Sequence, residues 1–96
     1  MEVKANHKAD YDACEAPGDF FLTPPSEHEG GARRLSFLCP CGCGSLCGIR
    51  VRDDGQHTAG AWGWNRNEDS PTCTPSIRIN GEHWHGYLTD GVFRSC

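Results

Sequence analysis

The sequence predicts a small β-rich domain built from antiparallel hairpins, with little helix and with metal-ligand residues on two separate loops. Three observations point there. Short apolar runs with period-two alternation recur between Gly, Pro and Asx turn signals, as half-buried strands require. Nowhere does an i, i+3, i+4, i+7 apolar pattern persist over the length of a helix. Finally, "FLCPCGCGSLCG" (Phe37 to Gly48) sets four of the seven cysteines within nine residues.

Taken in order, residues 1–17 are polar and aperiodic, and they end on the turn pair Pro17-Gly18. They read as a mobile or loosely docked arm, with Cys14 an uninvolved surface thiol. Residues 18–96 form the single β-rich, metal-binding domain. "DFFLT" is a short apolar run stopped by Pro24-Pro25, and "SEHEGGA" is a loop. "RRLSFLC" then alternates Leu35, Phe37 and Cys39 against Ser36 and Leu38, and so predicts a strand that enters the cysteine loop. Beyond that loop, "SLCGIRVRDD" alternates Leu46 with Ile49 and Val51 only if Gly48 absorbs a register change. "DDGQH" is a hairpin turn, and Trp62 and Trp64 share one face of an extended segment. "TPSIRIN", the Asn80-Gly81 turn, "HWHGYLT", the Asp90-Gly91 turn and "VFRSC" complete the hairpin series.

A chain of 96 residues is one domain with a thin core, and twelve glycines and six prolines interrupt its apolar runs. A metal or disulfide staple would therefore add stability that burial alone supplies poorly. The formal net charge of −4 lacks the basic footprint that phosphate neutralisation demands. Nucleic acid is thus not an expected partner, despite a local patch of Arg33, Arg34, Arg50 and Arg52. No secretory h-region and no membrane-length apolar stretch is present, which predicts a cytoplasmic protein without membrane contact. In a reducing cytosol, clustered cysteines read as metal ligands before disulfides.

"CPCGCG" has the chemistry of a metal-binding knuckle. Pro40 fixes the approach, Gly42 and Gly44 open the turn, and Cys39, Cys41 and Cys43 offer two or three thiolates. Cys47 either rejoins the site or packs as a small hydrophobe. A tetrahedral zinc site draws its remaining ligands from a second loop, and "EHWHG" supplies His83 and His85 on one side of a strand, opposite Trp84. The expected ligand set is Cys39, Cys41, Cys43, His83 and His85, with Glu82 and His57 in reserve. Zinc is the expected ion, with iron or an iron–sulfur centre as the alternative.

The same loops partly resemble the two cluster-binding loops of Rieske iron–sulfur proteins. Trp84, His85 and Gly86 match the W-H-G element, whereas Glu82 stands where the second-loop cysteine belongs and cysteines replace the first-loop histidine. What that resemblance implies is a two-hairpin frame, of zinc-ribbon or Rieske-like kind, holding one ion. Read together, "PGDFFL", "LCPCGCGS", "WGWN", "PTCTPSI" and "HWHGYLTDGVFRSC" resemble a family of small uncharacterised phage and prophage proteins, over about Pro17 to Cys96. That resemblance implies a Cys/His metal protein of mobile-element origin, in which "PTCTPSI" is a structural strand and Cys73 a packing residue.

The function these readings favour is a zinc-stapled protein-interaction module whose partner is an unidentified host or phage protein, acting as a monomer or small homo-oligomer. No catalytic residue is assigned, because the chain has no nucleophile elbow, phosphate-cradling loop or H-E-x-x-H. The alternatives are a Rieske-like redox or metal-dependent enzyme, for which Glu82 and Asp90 are the carboxylates nearest the histidines in sequence, and a nucleic-acid-binding zinc ribbon.

Overall fold

The computed structural model describes residues 2–23, 33–56, 58, 60–79 and 84–95. Nine strands are present among them: β1 (Glu2–Lys4), β2 (Asn6–His7), β3 (Asp19–Leu22), β4 (Arg33–Leu38), β5 (Leu46–Arg52), β6 (Trp62–Trp64), β7 (Cys73–Ile79), β8 (Trp84–Thr89) and β9 (Val92–Ser95). They form one sheet in the order β1-β9-β8-β7-β6-β5-β4-β3-β2. Its outermost strands, β1 and β2, are separated in sequence by Ala5 alone, so the chain that begins at one edge crosses to the other and draws the sheet almost closed. The sole helical element among the described residues is a 3-10 turn, Tyr11–Ala13, capped by Asp10. No helix among them is long and apolar enough to cross a membrane.

Residues 2–7, read from sequence as part of an arm, thus lie in the sheet. Val3 packs against the core, Ala5 is buried, and the Ala5 amide donates to the Gly91 carbonyl at 2.8 Å. Three-residue and two-residue strands without apolar alternation leave almost no period-two signal, which is why composition alone suggested an arm.

The interior is filled from every strand but the shortest. Phe20, Leu35, Phe37, Ile49, Val51, Trp64, Ile77, Trp84, Leu88 and Phe93 pack with Cys39, Cys47 and Cys73. Phe37 and Phe93 stack at 4.9 Å between ring centroids, and Trp84 meets Phe93 edge-on at 5.9 Å, an arrangement that satisfies ring quadrupoles as well as burying area. β4 and β5 pair in unbroken register from Arg33–Val51 to Leu38–Leu46. The register change expected at Gly48 does not occur: Cys47, Ile49 and Val51 are the inward set, and Leu46 is left outside at 46% exposure.

One stretch of the sheet is incompletely zipped. β6 pairs with β5 only at Val51–Trp62 and Arg52–Gly63, and with β7 only at Gly63–Thr74 and Trp64–Cys73. Because β5 and β6 run parallel and β7 runs antiparallel to β6, the end of β7 and the start of β8 lie at the same end of the sheet as the loop joining β4 to β5. The two chemically distinctive segments therefore share one end of the molecule.

Candidate functional site

The first cluster is the loop between β4 and β5. It is closed at its base by the Cys39 amide donating to the Ser45 carbonyl at 2.9 Å, and tightened by the Gly42 amide donating to the Cys39 carbonyl at 3.0 Å. Gly42 and Gly44 hold φ of 89° and 81°, the left-handed region that a Cβ disfavours, so a loop this short needs glycine at both places. The outcome is that the Cys39, Cys41 and Cys43 thiols lie within 4.8 Å of one another, with Cys39 Sγ and Cys41 Sγ 3.2 Å apart. A disulfide would bring two sulfurs to about 2.05 Å, and the six described cysteines are not joined in disulfides.

This spacing suits a metal. Tetrahedral zinc with Zn–S bonds of about 2.3 Å sets its sulfurs about 3.8 Å apart, within the range the three thiols already span. Burial, opposed by a hydrogen bond from the Cys41 amide to its sulfur, pushes the Cys39 thiol up to about 12, so without an ion it stays protonated. Three close cysteines can hold a metal ion, and these three are the group of that kind among the described residues.

His85 is placed differently. On β8, Trp84, Gly86 and Leu88 point into the core while His85, Tyr87 and Thr89 do not, so its ring lies on the outer face. There His85 Nε2 meets Ser76 Oγ at 3.2 Å. Ser76 reaches that position through a register shift in β7 between Cys73 and Ile77, where the Thr74–Pro75 peptide is cis. Bulges of this kind re-aim side chains and recur beside active sites. The Ser76 carbonyl accepts from Trp62 Nε1 at 3.1 Å, which ties the bulge to β6, and Arg78 is the direct cross-strand partner of His85. His83, Glu82 and His57 lie outside the described residues.

Beside the pair, where β6 leaves β5 and β7 unzipped, is a groove of about 480 Å³ lined by Arg34, Arg50, Trp62, Arg78 and the segment 46–49. No carboxylate is among its described lining residues. Arg33 Nε lies 3.2 Å from Asp53, and Arg52 pairs with Asp54. Of the four-arginine patch read from the sequence, Arg34 and Arg50 line the groove.

Sequence reasoning passed over Ser76 because "PTCTPSI" read as structure. A signal was available: two strands flanking one turn bring Ser76 and His85 to neighbouring rungs, Arg78 facing His85, and a serine diagonal to a histidine on one face is within hydrogen-bonding reach. No curated protein and no solved structure matches the chain. Neither the phage-type nor the Rieske-type resemblance is what the family comparison finds: residues 7–96 match the model described as bacterial ubiquitination-like system serine protease (BubE), and the chain belongs to that family.

Proposed function

We propose that the protein is a serine hydrolase that cleaves protein substrates in a bacterial ubiquitination-like system, with Ser76 as nucleophile and His85 as general base. The observation that carries this reading is the 3.2 Å contact between Ser76 Oγ and His85 Nε2 in a chain whose family bears a serine-protease name. In the reaction, Ser76 Oγ attacks the scissile carbonyl carbon and its proton passes to His85 Nε2. The tetrahedral intermediate collapses as His85 returns that proton to the departing amine, and water then releases the acyl group from Ser76 by the same relay. The arginine-lined groove lies where an extended substrate segment would run along the open side of β7, with its acidic or carboxylate groups towards Arg34, Arg50 and Arg78.

A second reading keeps the pair structural and treats the protein as a metal-stapled interaction module for a partner protein in the cytosol. The arginine groove and Tyr87, 51% exposed, favour it as a docking face. Hydrolysis of p-nitrophenyl acetate by the metal-replete full chain separates the two. The hydrolase reading expects turnover with an acylated species visible by mass spectrometry, lost on Ser76→Ala and cut at least ~100-fold by His85→Ala. Turnover that survives Ser76→Ala, or none in the folded wild type, supports the module instead.

A further inference from the structure

Three thiols on one loop leave a tetrahedral ion with one unfilled position, and the fold supplies a fourth sulfur on its inner side. We propose that Cys47 completes a closed tetrathiolate site with Cys39, Cys41 and Cys43, taking one zinc-like divalent ion. The inference stands on the thiol loop alone and does not depend on the serine–histidine reading.

The backbone register brings Cys47 there. β5 enters opposite the end of β4 with Leu46 facing Leu38 and Cys47 facing Phe37. The Cys39 amide reaches the Ser45 carbonyl, so the ladder continues one step beyond the named strands and Cys39 lies diagonal to Cys47. Phe37, Cys39 and Cys47 all point into the core, and diagonal neighbours on one face are within side-chain reach. Cys47 itself stands outside the group of three thiols that lie within 4.8 Å of one another, so the ion would draw its side chain in from this diagonal place.

The chemistry of the four fits one ion better than four free thiols. Cys41 and Cys43 are exposed while Cys39 and Cys47 are buried, so the site is half set into the hairpin, closed from the core side by Cys47. Sulfur ligands in a tetrahedral set select zinc among the common closed-shell divalent ions, and four of them leave no open position for water or substrate. Binding expels the thiol protons and leaves a doubly negative cluster. One feature offsets that charge: the Cys41 amide donates to the Cys39 sulfur. Neither remaining described cysteine competes. Cys73 is buried on β7 outside the cluster, and Cys14 Sγ contacts the Asp10 carbonyl at 3.5 Å.

The test is titration of the reduced, metal-free full chain with Co²⁺, followed by competition with Zn²⁺, on the wild type and on Cys47→Ser, Cys41→Ser and Cys73→Ser. The expected result is one ion per chain with the visible and charge-transfer absorption of a tetrahedral four-thiolate site. Cys47→Ser and Cys41→Ser each lower that absorption to the three-thiolate level and weaken affinity beyond the about 10–100-fold that an outer-shell change costs, whereas Cys73→Ser matches wild type. Wild-type affinity and spectrum in Cys47→Ser would overturn the proposal, as would a wild type that takes no ion. Should Cys47→Ser fail to fold, X-ray absorption at the zinc edge of the wild type decides: four sulfurs at about 2.3 Å support Cys47, and three sulfurs with a nitrogen or oxygen contradict it.

Discussion

The thiol loop and the Ser76–His85 pair lie at one end of the same sheet, yet they are built in opposite ways. The loop is local: Cys39 to Cys47 is a single hairpin connection, half buried, whose thiols are brought together by glycines and two backbone hydrogen bonds. The pair is assembled across two strands on the outer face, requires a bulge in β7 to aim Ser76, and borders an open groove. A compact cluster of thiols on one loop suits a stabilising ion, and a site on an open face beside a groove suits a reacting group. The proposed reading gives stability to the first and chemistry to the second, whereas the sequence suggested His85 only as a metal ligand and gave Ser76 no role.

The largest effect that would sharpen this division lies in the pair. Ser76→Ala should remove about 10³-fold or more of the hydrolytic rate, and Ser76→Ala with His85→Ala should cost little more than either alone, because residues that act as a unit are non-additive. Thermal melts should show both variants folded. Rates that fall additively would mean that the two residues do not act as nucleophile and base.

Metal removal should act the other way round. With free ion at about 1,000 times its Kd the linkage contributes about 4 kcal/mol, which corresponds to roughly 15–30 °C in Tm for a domain of this size. Differential scanning calorimetry with and without chelator measures it. An unchanged Tm would break the assignment of stability to the loop.

A smaller effect is expected at the turn that supports the loop. Asp19 is buried, a cost that would raise its carboxyl, but its Oδ2 accepts from the Glu15 and Ala16 amides at 2.9 and 3.0 Å, and these with Lys8 and Asn6 hold it below the usual carboxylate range. The neighbouring Gly18 amide donates to the Leu38 carbonyl at the foot of the thiol loop. Asp19→Ala should cost about 2 kcal/mol at neutral pH by denaturant unfolding. Since the folded pKa is depressed, the Asp19 contribution is full above the unfolded carboxyl value and is lost as pH falls through the lowered folded one. The difference between Asp19→Ala and wild type should therefore shrink on acidification. At the far end of the scale, Tyr87→Ala on the exposed outer face should change stability by no more than about 0.5 kcal/mol.

Much of this was legible in the sequence where the physical signal is local. The alternation in "RRLSFL" became β4, and Asp90-Gly91, with φ of 50° and 78°, became the β8–β9 turn. The C-x-C-x-C spacing with interleaved glycines became a group of three close thiols. The rest depends on what folding brings together. β1 and β2 are too short and polar to show a period, and only their pairing with β9 and β3 makes them strands. The sequence left Cys47 between the metal loop and the core and set Leu46 with the core residues, whereas the register fixed by the loop buries Cys47 and turns Leu46 outward. Ser76 and His85 are nine positions apart, and neither has meaning until the β7–β8 register places them side by side.

The most direct test of the central claim, that Ser76 is an activated nucleophile, is mass-spectrometric mapping of a fluorophosphonate adduct on the metal-replete full chain. A single covalent adduct on Ser76, formed more slowly in His85→Ala, is the predicted result. An adduct elsewhere, or a Ser76 that stays unlabelled in folded protein, would contradict the account.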